Sequence, residues 1–386
     1  MLKNLSMRKW HFSSQAMGFL GVILCGLWLG TINPTFAAAT QIIDSHIHIY
    51  DPFRQEGVPW PDPSIAKIYR TVLPGDHAII AKPTGVTGTV VVECSDWLED
   101  NQWDLDRIRD LSEYYGLIGN LKLGIPEFAA NLNRFAAQKK FLGIRLRTQI
   151  IKRNTLTPEI LRDLRALAAK GLVLEMNVGN EPGTTLDDAL AIASAVPELP
   201  IMLDHLAGAS VDGKAPVSAW TNALKAVAQF PQVYCKVSGL VNQSVMQPGS
   251  LEVSYYTPLL KVLEEAFGNE RLVYGSNWPV SELGGNFTDQ QKLVVAYFQP
   301  RGDSVLNNVM WRNAVRFYHL AKSAGIHNVY GMKSKQQEQA FPRLLNGRLY
   351  RVTPKITSVA IKAAWNFLPT AKVKSFSEFR EITDTR

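Results

Sequence analysis

The chain has 386 residues, 46% of them hydrophobic and 19% charged, with a formal charge of +7. That composition carries enough apolar material for a sizeable core and excludes a disordered or fibrous chain. The charge is uneven: the first 39 residues hold +3, residues 322–386 hold +8, and the span between them holds −4. The basic pI therefore describes the two ends and gives no ground for a nucleic-acid partner in the middle.

The N-terminus reads as a targeting signal. Lys3, Arg8 and Lys9 form a positive segment, and Ala16 to Gly30 is an apolar stretch shorter than a membrane span. Ala37-Ala38-Ala39 supplies small residues for cleavage. The expected division is a signal peptide over 1–39, a main domain over 40–322 and a basic extension over 323–386. Retention of the segment as an uncleaved anchor is the alternative. Cleavage implies an exported protein, periplasmic or secreted, with no stable membrane span. Cys25 follows the bulky Leu24 inside the apolar stretch, which argues against lipid attachment. The remaining thiols, Cys94 and Cys235, fall on predicted strands that are not neighbours, so two buried free thiols are expected rather than a disulfide.

In chain order, Gln41–Ile49 alternates as a first strand, and the alternation puts Asp44, His46 and His48 on one face. A Pro-rich connection follows, from Asp51 to about Pro83, long enough to be a functional loop. Its Trp60 and Tyr69 either line a site or cover a mouth. The second strand is Thr87–Cys94, then a helix over Asn101–Tyr115, a third strand Leu117–Leu123, a helix Glu127–Lys140 and a fourth strand Phe141–Thr148. Pro158 opens a helix that runs to Lys170, with Gly171 at its end. The fifth strand is Leu172–Val178, followed by a helix Thr185–Ala195, and the sixth strand is Ile201–Leu206. Then come a helix Ser218–Phe230, a seventh strand Val233–Ser238, a helix Tyr256–Phe267 and an eighth strand Arg271–Ser276. Helices Thr288–Phe298 and Ser304–Lys322 close the domain. Eight short apolar strands, most followed by an amphipathic helix, predict an α/β fold of the (β/α)8 TIM-barrel type.

Barrels of this kind carry their sites at the C-terminal strand ends. Those ends are densely polar here: His46 and His48, Glu93, Arg145 and Arg147, Glu175 and Asn177, Asp204-His205 with one of the pair facing in, Lys236 and Ser238, then Asn277 with Trp278. Two imidazoles two positions apart on a strand can reach one small volume, as a divalent metal or an activated water requires.

The runs IDSHIHIYDP, GIRLR, LPIMLDHLAG, VYCKVSGL, RLVYGSNWPV and WRNAVRFYHL, in this order from about Ile42 to Leu320, resemble the amidohydrolase superfamily. They are most similar to its amidohydrolase-2 branch, which holds sugar lactonases such as the fuconolactonases and pyrone-dicarboxylate lactonase. The resemblance implies His46, His48 and His205 as ligands of one divalent metal, zinc first among the candidates, with metal-free action known for some lactonases of the branch. The fourth-strand lysine that bridges two metals in other members is absent, which speaks against a dinuclear site.

Where the family carries GSDWP, this chain has GSNWP, with Asn277 at the position of the proton-transferring Asp. A neutral amide has no basic site for that role. Glu93, Glu175 and His205 are the remaining bases. The catalytic expectation is thus His205, Asn277 and Glu93. Substrate contacts are expected from Arg145, Arg147, Lys236, Ser238, Glu175, Asn177 and Trp278. Arg145 and Arg147 offer fork-shaped donors to a carboxylate or ring oxygens. Lys236 and Ser238 offer donors to a developing oxyanion. Trp278 and Trp97 are candidates to stack on a sugar face. The expected function is an exported hydrolase that opens a lactone or related ester of a sugar acid or small carboxylate with activated water. The alternatives are an aromatic-acid decarboxylase of the same family and a degenerate barrel that binds without turnover. The expected partner is a small-molecule substrate, and association of identical copies is compatible with the sequence.

Overall fold

The computed structural model describes residues 41–146, 156–179 and 184–320, together with the backbone of Phe341–Leu345 and Arg348–Val352. The signal segment, Arg147 and most of the basic extension lie outside these residues.

Eight strands, all parallel to their neighbours, follow one another in chain order. They are β1 (Ile42–Ile47), β2 (Val86–Val92), β3 (Tyr114–Gly119), β4 (Phe141–Leu146), β5 (Val173–Met176), β6 (Ile201–Leu203), β7 (Val233–Val237) and β8 (Leu272–Tyr274). Between them run α1 (Pro74–Ala81), α2 (Asp100–Ile108), α3 (Phe128–Ala136), α4 (Pro158–Ala169), α5 (Leu186–Ala195), α6 (Ser218–Ala228) and α7 (Val253–Phe267), with α8 (Phe287–Phe298) after the last strand. The ring is joined just past β8. There the Asn277 amide donates to the His46 carbonyl at 2.9 Å and the His48 amide donates to the Trp278 carbonyl at 2.8 Å. This is the predicted α/β barrel.

Local chemistry starts several helices. Thr157 accepts the Ile160 amide at the head of α4, and Pro158 occupies the first turn, where its missing N–H costs nothing. Thr185 and Asp188 form a capping box at the head of α5.

Several predicted boundaries are corrected. The long connection after β1 contains α1, a helix that Pro74 opens. The helix expected over 101–115 ends at Ile108, and β3 begins at Tyr114, before its predicted start. The closing helix is α9 (Asp303–Asn307), a π turn over Asn308–Arg312 and α10 (Asn313–Phe317). The basic extension contains an antiparallel hairpin of β9 (Phe341–Leu345) and β10 (Arg348–Val352).

The core has two layers. An outer layer between strands and helices takes Ile42, Ile47, Ile144, Leu146, Leu174 and their partners. An inner layer takes Ile43, Val90, Val92, Ile118, Val173, Met202 and Val273, and Phe317 at the end of α10 packs into it with Tyr318 and Leu320 just past that helix. Inward and outward residues alternate along the strands after β1, as the pleat requires. Cys94 and Cys235 are buried as thiols rather than joined in a disulfide, and the Cys94 thiol donates to the Ile49 carbonyl at 3.6 Å.

Candidate active site

The first strand departs from simple alternation. Asp44 pairs with Thr89 and Ile47 with Val91, so three steps on β1 oppose two on β2. One extra residue is the signature of a bulge, and a bulge re-aims the side chains beyond it. Ile43 points to the inner layer and Ile42 to the outer one. Past the bulge, His46 joins His205 and Lys236 on the inside, and Ile47 and Ile49 pack outside. The expectation that Asp44, His46 and His48 share a face is therefore corrected. Asp44 turns towards α1, where its Oδ2 lies 3.5 Å from His77 Nε2. Room for His46 comes from Gly275, since a Cβ there would lie 2.8 Å from the His46 Cβ.

Inside the mouth the groups lie close together. The His46 and His205 ring centroids are 4.5 Å apart, and those of His46 and His48 are 5.0 Å apart. His48 is fixed by its Nδ1 on the Val92 carbonyl at 2.9 Å. The Lys236 Nζ, fully buried, sits 2.5 Å from Glu175 Oε2, 3.1 Å from His46 Nδ1 and 3.3 Å from Asp204 Oδ1. Arg145 donates through Nε to Asp204 Oδ2 at 2.9 Å and lies 3.9 Å from Glu93. The Tyr318 hydroxyl donates to the other Glu175 oxygen from below. The Ser238 Oγ is 2.9 Å from His205 Nδ1.

These contacts assign the imidazole tautomers. Arginine has donors only, so Arg145 Nη2, 3.4 Å from His205 Nε2, faces a lone pair there. His205 Nδ1 then carries the hydrogen and donates to Ser238. Likewise the Lys236 ammonium faces a lone pair on His46 Nδ1, which leaves the hydrogen on His46 Nε2, a buried atom with no hydrogen-bond partner. Burial, aided by the nearby cations, keeps both rings neutral: His46 is held well below the usual histidine range, and His205 is brought down to about 3. Burial works to raise the Asp204 carboxyl, but Lys236 and Arg145 outweigh it and hold Asp204 well below the usual carboxylate range. Burial pushes Glu175 up to about 7 in spite of Lys236.

The structure thus brings together His46, His48, Glu93, Arg145, Glu175, His205, Lys236 and Ser238. Arg147 lies outside the described residues. Asn177 is half-buried just past β5. Two expected roles change. Lys236 and Ser238 are committed to Glu175, Asp204 and the two histidines, so they set those groups rather than offer themselves to an oxyanion. Trp278 is buried in the outer layer, with its indole 5.4 Å from His77 and its Nε1 on Glu282 at 2.7 Å, away from any sugar face. Trp97 packs beneath the Arg54 guanidinium. The aromatic at the mouth is instead Trp60, half-buried, with its ring 5.7 Å from that of His48.

Asp204 is the residue that strand alternation missed. The β6 ladder ends at Leu203, and His205, Leu206 and Ala207 then adopt φ of 47°, 59° and 54°. Three successive left-handed residues without glycine are uncommon, and such strain gathers at functional sites. The turn delivers both Asp204 and His205 to the mouth. Asn277 has φ 59°; its Nδ2 donates to Asn242 at 3.3 Å, and its buried Oδ1 has no hydrogen-bond partner.

His46, Asp204 and His205 each offer a ligating atom, all within 4.8 Å of one another, and His48 is outside this group. Neutral imidazoles and an ionised carboxylate are the forms that bind zinc. His46 Nε2 and Asp204 Oδ1 both lack hydrogen-bond partners. By residue type the three fit one divalent ion, which would need the His46 hydrogen moved off Nε2 or Lys236 moved off Nδ1.

A barrel with this mouth is an enzyme of the hydrolase class. The family model described as Amidohydrolase matches residues 43–320, and the chain belongs to the amidohydrolase-2 family, in its lactonase-like branch. The chain is 30% identical over 295 residues to the L-fucono-1,5-lactonase of Burkholderia ambifaria, spanning 73% of this chain and 97% of that protein. An amidohydrolase from Burkholderia multivorans, crystallised with bound zinc, superposes with a TM-score of 0.64 at 22% identity, over 72% of this chain and 99% of its own. A 5-carboxyvanillate decarboxylase from Novosphingobium aromaticivorans, complexed with manganese, superposes with a TM-score of 0.52 at 13% identity, over 72% of this chain and 96% of its own. At these identities the two structures show likeness of fold.

Proposed function

We propose that the protein hydrolyses the ring ester of a sugar-acid lactone and that it acts after export. The observation that carries the chemistry is the polarised pair of buried neutral imidazoles, a lone pair on His205 Nε2 beside a hydrogen on His46 Nε2. His205 takes a proton from water as the water attacks the lactone carbonyl. His46 Nε2–H and Arg145 donate to the oxygen that gains charge, in a setting already oriented by the fold. His205 then returns the proton to the ring oxygen, so base and acid are one residue. Asn277 accepts a hydrogen bond from the attacking water rather than its proton. A divalent ion on His46, Asp204 and His205 would take the lone pair that His205 uses as base, and would supply in its place Lewis acidity and a bound water of lowered pKa.

The lactone substrate is inferred from the 30% identical relative, aligned over nearly its whole length. The decarboxylase reading has only the likeness of fold. Export rests on Lys3, Arg8, Lys9, the apolar stretch and the Ala37–Ala39 run. Among the described residues no helix is long and apolar enough to cross a membrane.

The test is proton release from L-fucono-1,5-lactone and other 1,5-lactones, corrected for spontaneous opening, with His205→Asn alongside. Turnover by the wild type and its loss in the variant by about 10²–10⁴ support the assignment. No turnover of any lactone, or a variant as fast as the wild type, overturns it.

A further inference from the structure

We propose that the Lys236 ammonium is the resident cation of this site and competes with a divalent metal for His46 and Asp204. This rests on the reading of His46, Asp204 and His205 as a cation site, and its test does not depend on lactone turnover.

An ammonium has three hydrogens and no acceptor. Lys236 hydrogen-bonds Glu175 Oε2 at 2.5 Å and His46 Nδ1 at 3.1 Å, and it pairs with the Asp204 Oδ1 charge at 3.3 Å. Two of these residues, His46 and Asp204, belong to the group of three that could hold a metal. The side chains of Lys236, Glu175 and Asp204 are entirely buried, so solvent does not screen the ammonium from an ion placed next to it. Asp204 is further neutralised by the Arg145 Nε at 2.9 Å. A divalent ion would meet a carboxylate that already serves two cations and an imidazole whose Nδ1 already takes an ammonium hydrogen. To use Nε2 instead, His46 must move its hydrogen to Nδ1, where the ammonium stands. By either nitrogen, metal binding requires Lys236 to withdraw or to lose its charge.

The probe is Co2+, followed by its visible absorption and by calorimetry on metal-free protein. Lys236→Met should bind Co2+ about tenfold tighter or more than the wild type, the scale on which neighbours of metal ligands act. Lys236→Arg keeps the charge and should bind no tighter than the wild type. Adding His205→Ala to Lys236→Met should abolish the gain. Equal or weaker binding by Lys236→Met overturns the competition. A gain that survives His205→Ala places the ion elsewhere and overturns the site reading with it. If Lys236→Met does not fold, the wild type decides: weak binding upholds the proposal, and sub-micromolar Co2+ affinity overturns it.

Discussion

The Oδ1 of Asp44 accepts the backbone N–H of Ser276 at 2.8 Å and that of His46 at 3.2 Å. One carboxylate oxygen thus joins β1 to the chain beyond β8, next to the two residues, His46 and Asn277, that flank the mouth. Asp44 has no solvent exposure, so no water replaces it. Asp44→Ala leaves two buried donors unmet and should cost about 3 kcal/mol in urea unfolding. Asp44→Asn keeps an acceptor oxygen and should cost less than half as much. Equal losses for the two variants would show that the charge matters, rather than the acceptor.

Much of this was legible in the residues. Val90-Val91-Val92, Ile201 to Leu203 and Val233 to Val237 announce strands because both faces of a barrel strand are covered. The polar strand ends stand out against those apolar runs. The parity of β1 was not legible, because a bulge leaves no mark in a sequence that alternates on both sides of it. Asp204 was hidden by the left-handed turn that follows it, made by His205, Leu206 and Ala207 rather than by glycine. The choice among tryptophans failed for a different reason. Adjacency to Asn277 in the chain placed Trp278 near the site, but its side chain turns outward, and Trp60 arrives from a loop whose path no periodicity describes.

Stability should rise with pH between about 4.5 and 6.5, measured on metal-free protein. His46 and His205 are kept neutral by burial, with the folded pKa below the unfolded value of 6.5, which for His205 is about 3. In this window the unfolded chain takes up protons on both as pH falls, and the fold does not. Glu175 has the opposite sign. Burial raises it to about 7, so the fold holds a proton there that the unfolded chain has lost above 4.5. These three groups together leave about one extra proton on the unfolded chain, a slope of about 1.4 kcal/mol per pH unit. The slope is read in an Asp104→Asn background, because burial raises the Asp104 carboxyl well above the usual carboxylate range and gives it the sign of Glu175. Urea midpoints taken across the window check the sign. A flat or falling curve would mean that the two histidines are charged in the fold.

Asn277 decides between a working variant site and a degenerate barrel. Its amide oxygen is buried and without a hydrogen-bond partner, and its backbone N–H holds the His46 carbonyl. If His205 is the base, a second carboxylate adds little, and Asn277→Asp should leave kcat/KM for 1,5-lactones within about threefold of the wild type, far short of the 10²–10⁴ worth of a general base. Activity present in Asn277→Asp and absent from the wild type would sink the His205 assignment. The native protein would then be a binding barrel.

Trp60 should govern recognition of the sugar ring. Its indole stands edge-on to both His48 and Tyr50, with ring centroids at 5.7 and 5.6 Å. The loop that carries it is pinned: Tyr50 and Val72 exchange backbone hydrogen bonds, the Tyr50 hydroxyl donates to the Ile68 carbonyl, and Arg70 pairs with Glu282. A half-buried indole held this way beside the imidazoles offers an apolar plane to the C–H face of a pyranose-sized lactone at little entropic cost. Trp60→Ala should therefore raise KM for such a lactone about fivefold, within the 0.5–1.5 kcal/mol that ring contacts contribute, with kcat changed less. Trp60→Phe should recover most of that loss. Trp278→Phe is the contrast. Its indole is buried among outer-layer groups, so the change should lower stability and leave KM alone. A KM that follows Trp278 and ignores Trp60 would return the sugar face to the residue beside Asn277.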